Sequence, residues 1–196
     1  MKTTSSQRSS KELHEQILLQ ASKLFVERGY KGLSMREIAE AAGISKAGLY
    51  YHFKDKEDLF LAILLDSIAS LGELTAKARA YRGSTREKIR HLLVLIAKEN
   101  KQQRGIMRLA ENDAVHLSPE AQKKMRELYH ASFPAQLEAI LAEGQENGEL
   151  QDFDVHELAR LLLLLALPLL SASKKDAPAK IDLLESIFFD GVKKRN

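Results

Sequence analysis

The chain has no cysteine, no tryptophan and only four prolines among its 196 residues. Without cysteine, disulfide frameworks and thiolate metal sites are excluded. The only long apolar run, residues 161–170, is interrupted by Pro168 and is far shorter than the roughly 20 residues of a bilayer-spanning helix. The N-terminal residues are polar and lack the apolar segment of a signal peptide. These absences predict a cytoplasmic protein that does not engage a membrane.

Charge is modest overall but unevenly placed. The formal net charge is +3 at pH 7. Residues 1–11 contain Lys2, Arg8 and Lys11 and no acidic residue, so this segment has the composition of a basic arm that binds phosphates. A solubilising start with no binding role is the alternative interpretation for residues 1–7.

Residues 33–56 have the pattern of two short helices joined by a tight turn. Ser34 precedes Glu37 by three residues, which is the spacing of a capping box at a helix start. Gly43 supplies the residue that ends the first helix, and Ser45 can cap the second. The pattern predicts a helix-turn-helix, whose second helix enters the major groove of DNA.

The second helix of this hairpin has two distinct faces. Leu49 and Phe53 lie four residues apart and should face inward, whereas Lys46 and Tyr50 form an outer pair at the same spacing. We predict that DNA contacts come from the outer face and from the helix starts. These residues are Ser34, Met35, Ser45, Lys46, Ala47, Tyr50, Tyr51, His52 and Lys56. An ordinary helical hairpin with solvated lysines is the alternative.

Within that set we expect two roles. Ser45, Lys46 and Ala47 are best placed at base edges, because the first turn of a recognition helix points into the groove. Phosphate contacts are expected mostly from Lys46, Tyr50, Tyr51, His52 and Lys56.

These motifs closely resemble the N-terminal domain of the TetR family of bacterial transcriptional regulators. The residues that carry the resemblance follow the pattern Ser34-x-x-x-Ile38-Ala39-x-x-Ala42-Gly43-Ile44-Ser45-x-x-x-Leu49-Tyr50-x-His52-Phe53-x-x-Lys56-Glu57-x-Leu59. The resemblance covers roughly residues 9–71. This chain has Ser34 where the family often has threonine, and Ala47 where the family commonly has glycine. The resemblance implies a homodimer that binds an inverted-repeat operator in double-stranded DNA.

The remaining chain predicts helices and no strands. We expect an all-α fold of about nine helices, with an N-terminal three-helix DNA-binding domain over residues 9–56 and a C-terminal effector-binding and dimerisation bundle over residues 57–196. A capping box at Ser9 and Glu12 should open the first helix. A helix that starts at Ser118 should continue to Asn147 and bend at Pro134, which removes one backbone hydrogen bond.

Leucines cover nearly the whole circumference of the helix predicted over residues 158–170. A helix that is apolar all round must be buried on all sides, and in a short chain a second subunit meets that need most easily. The resemblance implies the same, because family members dimerise through their last two long helices. The predicted interface residues are Leu161, Leu165, Leu169, Ile181, Leu184 and Phe188.

The C-terminal helices are more extensive than dimerisation requires. We therefore predict an apolar effector cavity among residues 85–172 with its mouth near Pro134, in a repressor that a small, largely apolar effector releases from DNA. The predicted ligand contacts are Asn100, Leu109, Asn112, His116, Tyr129 and Phe133. A constitutive DNA-binding protein without an effector is the alternative.

An enzyme is the competing class. Asp113-x-x-His116 and Glu127-x-x-His130 have the spacing found in helical carboxylate di-metal sites. The lysines and arginine around Glu127 indicate a solvated face instead. We therefore expect no catalytic residue, no metal and no cofactor.

Overall fold

The computed structural model describes the backbone of residues 3–192 and the side chains of residues 10–191. Within this part of the chain there are ten α-helices and two short 3₁₀ helices. The α-helices are α1 (Thr3–Arg28), α2 (Met35–Ala41), α3 (Lys46–His52), α4 (Lys56–Arg79), α5 (Thr85–Lys98), α6 (Lys101–Asp113), α7 (Pro119–Ser132), α8 (Pro134–Glu146), α9 (Val155–Ala166) and α10 (Ala177–Val192). The 3₁₀ helices are Ala114–His116 and Leu167–Ser171. The predicted all-α architecture is confirmed.

The N-terminal end of α1 differs from the prediction. The helix already runs from Thr3, so Ser9 lies inside it and does not cap its start. No glycine or proline interrupts residues 3–12, and nothing local therefore forces a boundary at Ser9. Lys2 and the side chain of Arg8, on which the predicted basic arm depends, lie outside the described residues.

The break at Pro134 is sharper than the predicted bend. Phe133 has φ −120° and ψ −63° and separates α7 from α8. Proline lacks an N–H donor and its ring clashes with the preceding turn, and it occupies the first position of α8 instead. Gln136 Nε2 donates to the Ser132 carbonyl at 2.8 Å, which supplies a donor near the end of α7. The split gives one helix more than predicted.

The first buried cluster, here called the N-terminal cluster, joins the helix-turn-helix to later parts of the chain. Phe25 and Phe60 are fully buried with ring centroids 5.0 Å apart. The cluster also contains Ile106 and Leu109 from α6 and Leu117 before α7. Packing therefore continues across residue 56, where the predicted domain division lies, and α1 to α3 share one core with parts of α4, α6 and α7.

The second cluster holds α5, α8, α9 and α10 together around Ile89, Leu93, Leu137 and Ile140. A charged side chain is buried next to this cluster. Glu185 of α10 is 3% exposed and accepts hydrogen bonds from Arg86 and Arg90 of α5. Two guanidinium partners offset the cost of burying that carboxylate.

Helix α4 extends along both clusters. It is 24 residues long and apolar enough, by length and composition, to cross a membrane. This corrects the expectation that residues 161–170 are the only long apolar stretch. More than half of its most apolar window is buried inside the fold, where it contacts α1, α5, α6, α7 and α8. The apolar length of α4 is explained by its central place in the core.

Candidate functional site

Two capped helices build the hairpin at residues 34–53. Ser34 N donates to Glu37 Oε2 at 2.9 Å, and Glu37 N donates to Ser34 Oγ at 3.3 Å, so the predicted capping box is present. The Ser34 hydroxyl and the Arg28 guanidinium lower the pKa of Glu37 to about 2. Gly43 has φ +69° and follows the end of α2. Ser45 Oγ then accepts a hydrogen bond from Gly48 N at 3.0 Å and caps α3.

The two faces of α3 are divided as predicted. Leu49 and Phe53 are 0% and 3% exposed and pack in the N-terminal cluster. Tyr50 and Tyr51 are 44% and 83% exposed. Lys46 Nζ lies 5.8 Å from the centroid of the Tyr50 ring. A cation and two phenols therefore project from a helix whose opposite side is anchored in the core.

Of the other predicted contacts near α3, three are exposed and one is half-buried. Ser34, Ser45 and Ala47 are exposed. His52 is half-buried, with its ring centroid 5.8 Å from that of His14 and 5.4 Å from that of Tyr51. The His52 ring therefore has an aromatic neighbour on two sides.

Met35 does not belong to the exposed face. It is 7% exposed and packs in the N-terminal cluster with Ile38 and Ala39. These three residues share one stripe of α2, at the i, i+3 and i+4 positions of a helix. The predicted DNA contact by the Met35 side chain is corrected on this point, since the side chain faces the core.

Lys56 has a structural use that the sequence did not predict. Its Nζ donates to the carbonyl oxygens of Tyr30 and Leu33, both at 2.9 Å, and lies 4.3 Å from the centroid of the Tyr30 ring. An ammonium group has three donors, and two of them hold the loop between α1 and α2. At most one donor is left for the predicted phosphate contact.

Replacing Lys56 with methionine should destabilise the protein by about 1–3 kcal/mol, because two carbonyl oxygens lose a charged donor while the aliphatic stem is kept. Urea denaturation measures the free energy of unfolding. Lys54→Met is the matched control, since Lys54 is exposed and lies two residues away. Equal stability of the two variants would contradict the bracing role of Lys56.

A cavity of about 370 Å³ lies among α4, α6, α7 and α9. It is mainly apolar, as the prediction required. Its wall consists of Leu64, Ser67, Ile68, Leu71, Ile96, Met107, Ala110, Glu111, Ala114, Val115, Gln122, Met125, Arg126, Tyr129, Phe133, Leu163, Ala166, Leu167 and Leu170. Phe133, directly before Pro134, lies in this wall, and α4 contributes residues that lie before the range we predicted.

Two of the six predicted ligand contacts line this cavity, namely Tyr129 and Phe133. Asn100 instead caps α6, where its Oδ1 accepts a hydrogen bond from Gln103 N at 2.9 Å. Leu109 is 7% exposed inside the N-terminal cluster. Asn112 is exposed and does not line the cavity. The prediction is corrected for these residues, because Asn100 precedes the first turn of α6 and the other two do not line the cavity.

His116 is the fourth corrected residue. Its ring lies 6.3 Å from the Tyr30 ring, and its Nε2 lies 3.7 Å from Asp113 Oδ1. It therefore contacts the loop before α2 and does not line the cavity.

The cavity carries a few polar groups in an apolar wall. Burial and the neighbouring Glu111 carboxylate raise the pKa of Tyr129 to about 12. Burial also raises the pKa of Glu111. The Tyr129 phenol is consequently a hydrogen-bond donor at neutral pH. An apolar ligand with a small polar end matches such a lining.

Two sets of hydrogen bonds connect segments that follow the cavity residues of α6 to segments that flank the hairpin. Asp113 Oδ2 accepts a hydrogen bond from Tyr30 N at 3.2 Å, just beyond the cavity residues of α6. The Glu57 carboxylate accepts bonds from Ser118 N and Ser118 Oγ, each at 2.7 Å. A displacement of α6 or α7 would therefore act directly on the start of α4 and on the loop before α2.

The exposed apolar face of α9 and α10 differs from the predicted interface. Leu161 and Leu165 are 49% and 38% exposed and are therefore accessible to a second subunit. The other four predicted residues pack inside the chain, with exposures of 1% to 5%: Leu169, Ile181, Leu184 and Phe188. This corrects their assignment to the interface. The exposed apolar face, as we use the term below, consists of Leu161, Leu164 and Leu165 of α9, Leu167 of the 3₁₀ helix that follows it, and Leu183 and Ile187 of α10.

The two acid-x-x-His pairs have different partners. Asp113 binds the backbone at Tyr30, and Glu127 lies 3.9 Å from the exposed Lys123. His130 Nε2 lies 3.8 Å from Oε1 of Glu138 on α8. This arrangement does not match the four-helix di-metal layout considered from the sequence.

Comparison with known proteins gives two family matches. A family model described as "Bacterial regulatory proteins, tetR family" matches residues 17–63. A second, "Tetracyclin repressor-like, C-terminal domain", matches residues 82–167. The first match contains the whole hairpin, and the second contains most of the cavity wall.

Among curated proteins, the HTH-type transcriptional regulator AcrR of Shigella flexneri is 37% identical over 86 residues, which are 43% of this chain and 40% of that protein. The chain thus matches about two fifths of that relative's length. The crystal structure of the TetR family regulator PfmR from Thermus thermophilus has 29% identity and a TM-score of 0.74 over 86% of this chain and 96% of that one. A tetR family protein from Rhodococcus has 20% identity and a TM-score of 0.80, over 94% and 98% of the two chains, and shares the fold.

Proposed function

Because the chain belongs to the TetR family of bacterial regulatory proteins, we propose that it is a cytoplasmic, homodimeric repressor that a small, largely apolar effector releases from its operator. The family consists of DNA-binding regulators rather than enzymes. The observation that carries the proposal is the capped hairpin. It anchors Leu49 and Phe53 in the core and leaves Lys46, Tyr50 and Tyr51 exposed on the other side of α3.

The hairpin would dock with the first turn of α3 in the major groove. There Ser45, Lys46 and Ala47 would meet base edges, and the Ala47 methyl group suits a thymine methyl. Tyr50 and Tyr51 would contact phosphates along the helix. A homodimer would present two such helices about 34–36 Å apart, to successive major grooves on one side of the duplex.

The first test is an unbiased selection of random duplexes by the purified full chain. We expect enrichment of an inverted repeat, because a two-fold dimer reads two equivalent half-sites. Lys46→Ala should then weaken binding and lower the salt slope by about one unit. Lys124→Ala, an exposed lysine on α7, is the control. Enrichment without a palindrome would refute the proposal.

An effector in the cavity would act through contacts already described. Ala110 and Glu111 line the cavity three and two residues before Asp113, which holds Tyr30. A ligand that repositions the end of α6 would shift the loop before α2. A tenfold loss of operator affinity requires about 1.4 kcal/mol of preference for the non-binding conformation.

Filling the cavity should abolish the response to effector. Ala110→Trp places an indole in the cavity and is expected to keep operator binding while removing the effect of any compound that lowers operator affinity of the unmodified protein. Such compounds are found by thermal shift in an apolar library and then tested by fluorescence anisotropy with operator DNA. Ala131→Trp, at an exposed position of α7, is the control. An effect of the compound that persists in Ala110→Trp would show that it binds elsewhere.

A further inference from the structure

Three potential metal ligands meet where α7, α8 and α9 come together. His130 Nε2 lies 3.8 Å from Glu138 Oε1, and His156 Nδ1 lies 2.9 Å from the same oxygen. The two imidazole centroids are 6.0 Å apart. One ligand atom from each of the three side chains lies within 4.8 Å of the other two. The cluster is separate from the hairpin and from the lining of the cavity.

The break before Pro134 creates this arrangement. In a continuous helix, His130 and Glu138 would be eight residues apart, or about 12 Å along the axis. Because α7 ends at Ser132 and α8 begins at Pro134, the chain turns between them and brings the two side chains together. His156 reaches the same point from the first turn of α9.

The chemistry of the three side chains and the exposure of the two imidazoles are suited to binding a transition metal. Two imidazoles and one carboxylate form a common protein ligand set for zinc. In a tetrahedral site, ligand atoms about 2.0–2.1 Å from the ion are roughly 3.3 Å apart, so shifts of about 1 Å would suffice. The two imidazole side chains are 57% and 60% exposed, and they can rotate and leave a coordination position to water.

We propose that His130, Glu138 and His156 form a binding site for a divalent transition metal ion of the zinc class. Nitrogen ligands favour such ions over magnesium and calcium, which take oxygen ligands. A bound ion would link three helices, two of which contribute Tyr129 and Leu163 to the cavity wall. It would thereby fix the angle between α7 and α8 independently of any effector.

The test uses the full chain without an affinity tag, freed of metal by chelation. Isothermal titration with zinc chloride should give one ion per chain, and zinc should raise the melting temperature whereas magnesium should not. Cobalt(II) should produce the visible absorption of a site with imidazole ligands. Absence of zinc binding, or more than one ion with equal affinity, would overturn the assignment.

Substitutions identify the ligands. His130→Ala, His156→Ala and Glu138→Gln should each weaken zinc binding at least about 10-fold, because loss of even a hydrogen-bond partner of a metal ligand costs about 10–100-fold, and Glu138→Gln keeps the shape of the side chain. His91→Ala and Glu127→Gln are controls, because His91 stacks on Tyr81 and Glu127 lies beside Lys123. Zinc affinity that these controls reduce, or that Glu138→Gln leaves unchanged, would refute the site. The readouts do not depend on DNA binding or on an effector.

Discussion

A chain carrying Leu165→Glu is expected to be monomeric and to bind operator DNA more than about 100-fold more weakly than the unmodified chain. Leu165 is 38% exposed and lies in the exposed apolar face of α9 and α10. In a two-fold dimer each substitution occurs twice, and each buried carboxylate would lack a partner. Its removal from water costs several kcal/mol. Sedimentation equilibrium at micromolar concentration measures assembly, and anisotropy measures operator affinity.

Leu19→Glu is the matched control, because Leu19 is 51% exposed on α1, a helix that packs against α2, α4 and α6. It should leave the dimer intact. Leu162→Glu serves as a contrasting variant, since Leu162 is 2% exposed and a carboxylate there should unfold the protein. A dimeric, operator-binding Leu165→Glu protein would show that the subunits associate through another surface.

The second large effect is expected at the start of α3. Ala47→Glu should reduce operator binding by more than about 100-fold while leaving the fold and the dimer unchanged. Ala47 is exposed and follows Lys46 in the first turn, where a carboxylate would approach base edges and phosphates. Loss of favourable contacts and like-charge repulsion each act in the same direction. Operator titration, circular dichroism and sedimentation measure the three properties.

Ala131→Glu is the control for that charge change, because Ala131 is exposed on α7. It alters net charge by the same amount and should change operator binding only slightly. If Ala47→Glu bound the operator as well as the control does, α3 would not be the helix that enters the groove.

The hairpin could be predicted from sequence because local signals determine it. Ser34 with Glu37, Gly43 and Ser45 act within three or four residues of their own backbone partners. Capping depends on side-chain type and spacing, and both can be read directly from the chain.

The sequence did not show in the same way which side of each C-terminal helix faces the core. Leu183 and Leu184 are neighbours of equal hydrophobicity, yet they are 61% and 5% exposed. On a helix that is apolar on two sides, the sequence pattern does not show which side faces its own chain. Tertiary packing of α5 against α10 makes that choice.

Lys56 and His116 illustrate a further limit of prediction from the sequence. Lys56 binds carbonyl oxygens of Tyr30 and Leu33, and His116 approaches the ring of Tyr30. These contacts join residues distant in sequence and involve the backbone, so residue type alone did not indicate them. For the same reason, polar residues such as Asn100 and Asn112 could not be distinguished from true cavity residues.

Under the proposed function, the N-terminal cluster limits how operator specificity can change. A chimera that exchanged residues 1–56 with another regulator would place a foreign α1 to α3 against Phe60, Ile106 and Leu117, which belong to the recipient. The exposed residues of α3 can be exchanged without disturbing that core, because only Leu49 of its seven residues is buried. Specificity can therefore evolve by point substitution on one side of a short helix. Transfer of all of α1 to α3 would instead need compensating changes in α4 and α6.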